Sequence, residues 1–186
     1  MTIKTHLVPV NEMIFTTIFP EHEEQNKILK EKIFEIKKEN PDTFDVQTDN
    51  SSWHSSYFLH TEYDEFDRLM LFTQKASDWI AKKHHRVPAV FDVYNMWAMT
   101  YDRGNQTHQH HHFPAALSAV YFVDVEPNSA PLTFGNIEVT PINGLLVVFP
   151  GILMHSVPPT EGKRVIISMN LEGDSKEKFK MTKRHS

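Results

Sequence analysis

The chain has no cysteine among its 186 residues, which rules out a thiolate zinc site and is compatible with a reducing compartment. It has no long apolar run. The opening Met1-Thr2-Ile3-Lys4-Thr5-His6 lacks the stretch that a secretory signal or membrane span requires, so no membrane association is expected. It has no excess of basic residues: a net charge of −5 gives no general reason to expect nucleic acid as a partner. It shows no internal repeat and no low-complexity linker. A hydrophobic content of 40%, slightly under the usual range, points to much polar surface without disorder. The length suits one domain with a substantial core, 1–186.

What the sequence does have is histidine. Of twelve, four fall within His108-Gln109-His110-His111-His112. Neutral imidazole is the commonest protein ligand for iron, zinc and copper, so this cluster is a candidate metal site. In a strand, residues two apart share a face about 6.5–7 Å from one another, whereas residues four apart are roughly 13 Å apart. His108 with His110, or His110 with His112, can therefore converge on one ion. His110 belongs to both pairs.

A third ligand must come from elsewhere in the chain. His155 follows the buried-strand run Leu145-Leu146-Val147-Val148-Phe149 and the break at Pro150 and Gly151. Further on, Arg164-Val165-Ile166-Ile167-Ser168-Met169-Asn170 reads as a strand with Arg164, Ile166, Ser168 and Asn170 on one face. A guanidinium there can hold a carboxylate through paired hydrogen bonds, with a hydroxyl alongside.

The runs GNQTHQHHHFPAALSAVYFV, NGLLVVFPGILMHSVPP and GKRVIISMN, within residues 94–171, resemble the Fe(II)/2-oxoglutarate-dependent oxygenases. Within them they are most like the prolyl-hydroxylase-like branch that includes bacterial and tailed-phage proteins. Those relatives carry a His-x-His, a Pro, a Ser-Gly-Val-Tyr-Tyr-type strand, a Phe-Pro-x-x-x-x-His element and an Arg strand ending in Asn. In that pattern the second His precedes the strand-opening Ser by six residues, as His112 precedes Ser118. The resemblance thus implies His110, His112 and His155 as metal ligands, with His108 in reserve. It also implies Arg164 for the distal carboxylate of 2-oxoglutarate and Ser168 as its hydroxyl helper. Fe(II), 2-oxoglutarate and dioxygen are the implied cofactor and co-substrates, and hydroxylated substrate, succinate and carbon dioxide the products. Asn50-Ser51-Ser52-Trp53-His54-Ser55 resembles a Gly-Trp-Gln-Ser-like segment of the same relatives, placing Trp53 and His54 near the substrate mouth.

The chain departs from the pattern twice. No acid lies near enough in sequence to act as the carboxylate ligand many such enzymes use. Phe122 also stands where relatives often have a tyrosine for the co-substrate, and Tyr121 points to the opposite face. Two other functions fit the histidines: a three-His cupin-type dioxygenase without 2-oxoglutarate, which has no need of Arg164, and a non-catalytic, virion-associated jelly-roll protein that keeps a metal. The substrate, a small molecule or a protein side chain, is not spelled out by the sequence. A cytoplasmic setting, in a bacterium or phage-infected cell, and a homodimer are the default expectations.

The expected fold is mainly β with flanking helices, a double-stranded β-helix of jelly-roll type with the N-terminal helices packed on one sheet. Residues 1–89 support, 90–172 form the catalytic core and 173–186 a frayed tail. A strand is expected at 12–19 and helices at 22–39 and 64–84, the second capped by Asp64, with Trp79 and Met70 in the core. Strands follow at 90–100, 116–125, 132–134, 137–139, 145–149 and 165–171, with turns at Arg103-Gly104-Asn105 and Asn143-Gly144. Loops at 50–60, 101–109 and 126–133 are expected to shape the mouth.

Overall fold

The structure, a computed structural model, describes residues 12–42, 52–85 and 89–175. In chain order the elements are β1 (Phe15–Ile18), α1 (His22–Glu39), β2 (Trp53–His54), α2 (Leu59–Glu62), α3 (Asp67–Ile80), β3 (Ala89–Tyr101), β4 (Thr107–His110), β5 (Leu117–Val125), β6 (Leu132–Phe134), β7 (Ile137–Val139), β8 (Leu145–Pro150), β9 (His155–Val157) and β10 (Arg164–Ser175). Two antiparallel sheets result, one in the order β1-β8-β5-β10-β3-β2 and the other β4-β9-β6-β7. This is the expected jelly roll with helices on one sheet.

Strand alternation divides the core in two. On β5, Leu117, Ala119, Tyr121 and Val123 face the helices and pack with Leu29, Ile33, Phe66 and Leu69. Val120 and Phe122 face the smaller sheet and pack with Leu132, Phe134, Phe149 and Val157. A strand covered on both faces carries no polar side, so residues 117–123 are buried without interruption. Truncating a fully buried side chain such as Ile33 to alanine would cost about 2–5 kcal/mol. A polar tie fixes α1 on the sheet: Tyr121 Oη donates to Asn26 Oδ1 (2.5 Å), and Asn26 Nδ2 donates to the Val123 carbonyl (2.7 Å). Tyr121 is thereby committed to the helical side.

Helix α1 matches its expected span. Leu29, Ile33 and Ile36 form its buried stripe, with Glu23 and Glu24 in the first turn and Lys37 and Lys38 in the last, complementing the helix dipole. Two expectations for the second helix fail. Asp64 makes no side-chain cap; it opens a short 3-10 turn, and α3 begins at Asp67. Trp79 is 55% exposed, because the face of α3 bearing Leu69, Thr73 and Ile80 takes up the contact with the sheet; its ring meets that of His84 instead. Met70 does pack against the core. The tail from residue 176 onward lies outside the described residues. Among the described residues no helix is long and apolar enough to cross a membrane.

Candidate metal centre

Strands β4 and β9 pair antiparallel, with Thr107 opposite Val157 and His110 opposite His155. One extra residue therefore sits on β4 between those two pairs. Such a bulge resets the alternation. Thr107 and His110, three apart, both line the interior cavity, while His108 is exposed and lies outside the group that converges. The chain leaves β4 at His110, and the next turn brings His112 back towards it, held by a hydrogen bond from His112 N to the Gly151 carbonyl (2.7 Å). Gly151 lies so close to Ala115 that a Cβ there would clash with its backbone carbonyl. The Pro-Gly break after β8 thus positions two histidines, His112 through Gly151 and His155 through the turn into β9. One nitrogen from each of His110, His112 and His155 lies within 4.8 Å of the others, and no carboxylate joins the group among the described residues.

The histidines are poised as neutral donors. His110 donates Nδ1–H to the His108 carbonyl (2.8 Å), and His155 donates Nδ1–H to the Leu153 carbonyl (3.0 Å). A backbone acceptor at Nδ1 leaves the lone pair on Nε2, the tautomer that a metal requires. Burial lowers all three pKa values, and the neighbouring imidazoles add to the effect at His112 and His155. His112 falls to about 3, His155 to about 4, and His110 below its ordinary value. Because these folded-state values lie under the unfolded value near 6.5, the unfolded chain takes up protons first as pH falls. The metal-free protein is expected to keep this contribution to stability above about pH 6.5 and to lose it progressively towards pH 4. Metal affinity should stay within about tenfold between pH 7.5 and 5.5, where three ordinary histidines would lose on the order of a thousandfold; calorimetry at both values distinguishes the two.

The same cavity is lined by Arg164, 2% exposed. Its guanidinium stacks 4.3 Å from the centre of the Tyr101 ring and donates from Nη1 to the Ala130 carbonyl (2.6 Å). Its Nε has no hydrogen-bond partner. No aspartate or glutamate is buried among the described residues, so the cation has no counter-charge there. A buried charge in that state costs several kcal/mol unless an anion joins it, and the unused Nε and fork geometry suit a carboxylate. The cavity, about 510 Å³, is of a size that holds small ligands.

No protein-family model matches the sequence, and no curated protein does. Solved structures do match. A prolyl-4-hydroxylase of Pseudomonas putida superposes with a TM-score of 0.67 at 14% identity, over 86% of this chain and 91% of that one. The viral collagen prolyl hydroxylase of Paramecium bursaria chlorella virus-1, in complex with 2-oxoglutarate, gives 0.64 at 12% identity, over 85% and 94%. HygX of Streptomyces hygroscopicus, with nickel, 2-oxoglutarate and hygromycin B bound, gives 0.63 at 10% identity, over 86% and 82%. The fold is that of the prolyl-hydroxylase-like 2-oxoglutarate oxygenases.

Within this oxygenase fold, Arg164, Ile166, Ser168 and Asn170 line the cavity together, as their alternation along β10 requires. Ser168, the expected hydroxyl helper, lies four residues from Arg164 on the same face of the strand and lines the same cavity. The residue beside Arg164 is Tyr101, its partner in the β3–β10 register, whose hydroxyl also bonds Thr107 Oγ1 (2.6 Å). A phenol from the neighbouring strand thus stands beside Arg164, on a cavity wall where Phe122 has no hydroxyl. The expected strand stops at residue 100 and leaves Tyr101 in the 101–109 loop; the observed strand runs one residue further, and its alternation puts Asn95, Trp97, Met99 and Tyr101 on the cavity. Of the segment at 50–60, His54 and Tyr57 line the cavity, while Trp53 packs in the core and donates Nε1–H to the Asn40 carbonyl (2.9 Å).

Proposed function

We propose that this chain is an Fe(II)- and 2-oxoglutarate-dependent dioxygenase that hydroxylates a substrate C–H bond and releases succinate and carbon dioxide. The observation that carries the reading is the pairing, in one cavity, of three neutral imidazoles with a buried guanidinium that lacks a carboxylate. His110, His112 and His155 would hold the ion, and Arg164 one carboxylate of the diacid. When bound, iron and 2-oxoglutarate supply the oxidising chemistry, with dioxygen spent on decarboxylating the diacid and oxygenating the substrate.

The chain's own residues bind, orient and exclude water. Three neutral donors leave both charges of the ion uncompensated, which favours an anionic co-ligand over water. Arg164 offers Nε, and the ring of Tyr101 stacks on the guanidinium and restrains it. Phe122, Leu132, Val157 and Ile166 wall the cavity with apolar surface, which strengthens a charge pair formed there. The Tyr101 hydroxyl, already bonded to Thr107, is within the same wall and can add a hydrogen bond to the diacid. Tyr101→Phe is expected to weaken 2-oxoglutarate binding by about fivefold, the worth of one hydrogen bond, with metal affinity unchanged in a calorimetric titration of Mn(II)-loaded protein.

Turnover tests the proposal. Fe(II)-loaded protein given 2-oxoglutarate and oxygen should form succinate slowly even without a substrate, and Arg164→Ala should not. An all-imidazole donor set with no carboxylate also suits a cupin-type dioxygenase that does not use 2-oxoglutarate. That enzyme would consume oxygen with a substrate alone and would be indifferent to Arg164. The substrate is a small molecule or a residue of a protein; of the proteins that share the fold, HygX is seen with hygromycin B bound and a prolyl hydroxylase of Trichoplax adhaerens with a peptide fragment. A reducing cytoplasm would keep the iron in its Fe(II) state.

A further inference from the structure

Arg164 is restrained by the ring of Tyr101 and by the carbonyl of Ala130. That carbonyl belongs to an X-Pro peptide, since Pro131 follows, and such a peptide has no N–H of its own to anchor it. The hydrogen bond that fixes Ala130 is instead the one from its own N–H to Thr160 Oγ1 (3.0 Å).

Thr160 is 2% exposed and sits behind the cavity wall, not on it. Three segments meet there. Its hydroxyl accepts from Ala130, in the loop before β6, and donates to the Gly162 carbonyl (2.7 Å), two residues before Arg164. Its backbone N–H donates to the Asn105 carbonyl (3.0 Å), and its carbonyl accepts from Gly104 N–H (2.8 Å), in the turn that follows Tyr101. The junction is close-packed: Gly162 N–H donates to the Asn128 carbonyl (3.1 Å), and a Cβ on Gly162 would clash with the Pro127 carbonyl oxygen. Thr160 is thus joined to each of the segments that carry Tyr101, Ala130 and Arg164. A hydroxyl can donate and accept at once, and both capacities are used here.

We propose that Thr160 is a positioning residue for 2-oxoglutarate, acting through Ala130 and Arg164 and not by contact. This rests on the functional reading above, in which Arg164 takes the distal carboxylate. A guanidinium is a rigid fork, and its paired bonds to a carboxylate depend on orientation more than those of a point charge do. With Nη1 held on the Ala130 carbonyl, the plane of the fork is set before the diacid arrives, and less freedom is lost on binding. Removing the hydroxyl releases Ala130, and the fork with it, while the charge on Arg164 stays.

Calorimetry on Mn(II)-loaded protein without oxygen tests this, with 2-oxoglutarate and 2-oxobutyrate as probes. The two share the 2-oxo acid group, and only the first has a second carboxylate. The parent protein should prefer 2-oxoglutarate. Thr160→Val should melt lower, keep its Mn(II) affinity and lose about fivefold in 2-oxoglutarate affinity, with 2-oxobutyrate affinity unchanged. Thr160→Ser keeps the hydroxyl and should retain the preference. A purely structural threonine would lower the melting temperature alone or weaken both acids equally, and either result, or a serine variant as impaired as the valine one, overturns the proposal. Should the valine variant not fold, Thr160→Cys, whose thiol is a weak donor and acceptor, should show the same loss of preference; an undiminished preference there overturns the proposal equally. A parent protein that binds neither acid, or both alike, brings down the functional reading itself.

Discussion

His110→Ala is expected to abolish metal binding. Each of the three rings adjoins the other two, with centroids 4.3 Å apart for His110 and His155 and 5.0 Å apart for His110 and His112 and for His112 and His155. Removing that of His110 leaves two imidazoles and no carboxylate to take its place among the described residues. The loss should exceed the roughly 10–100-fold that follows from deleting a group behind a ligand, and turnover should vanish with it. His112→Ala and His155→Ala should behave alike. His108→Ala is the discriminating control: its side chain is outside the converging group, and the carbonyl that orients His110 belongs to the backbone and survives the substitution. Calorimetry with Mn(II) reads all four variants. A larger loss in His108→Ala than in His112→Ala would mean that the ligand pair is drawn from the wrong register.

Arg164→Met should separate folding from function. In the metal-free protein this guanidinium is buried, with one nitrogen unpartnered and no counter-charge among the described residues, so its replacement by an apolar side chain of similar length should leave the melting temperature unchanged or raised. Co-substrate binding should respond in the opposite sense. Losing one partner of a buried, hydrogen-bonded charge pair costs about 2–5 kcal/mol, which is roughly 30-fold to several thousandfold in affinity. Metal affinity should not move, since the guanidinium is not among the converging groups. A variant that melts much lower and still binds 2-oxoglutarate would make Arg164 a structural residue.

Much of this architecture is legible in the sequence because period-two alternation is a strong signal where both faces of a strand are buried. The β6 and β7 spans match expectation, and the cavity face of β10 follows from alternation alone. Short elements gave weaker signals. β4 and β9 have four and three residues, and their His-rich or Pro-flanked composition masks any pattern. The bulge that turns His108 outward leaves no mark in residue type, and so geometry alone left both histidine pairs open; only the family resemblance chose between them. Ser168 is legible because it shares the Arg164 face of one strand, whereas Tyr101, 63 residues earlier, becomes a neighbour of Arg164 only through the strand register, which the sequence does not display. Trp79 shows the same limit: hydrophobicity is a poor guide to burial for a residue that falls off the face of a helix turned to the sheet.

The central claim is that metal and 2-oxoglutarate meet in one cavity, bridging the histidines and Arg164. It is tested most directly by titrating Fe(II)-loaded protein with 2-oxoglutarate in the absence of oxygen and recording the visible spectrum. Chelation by the keto acid should produce a weak metal-to-ligand charge-transfer band that saturates with co-substrate and weakens sharply in Arg164→Ala. Iron bound at the histidines with no such band at any concentration would contradict the account and leave a metal site that does not use 2-oxoglutarate.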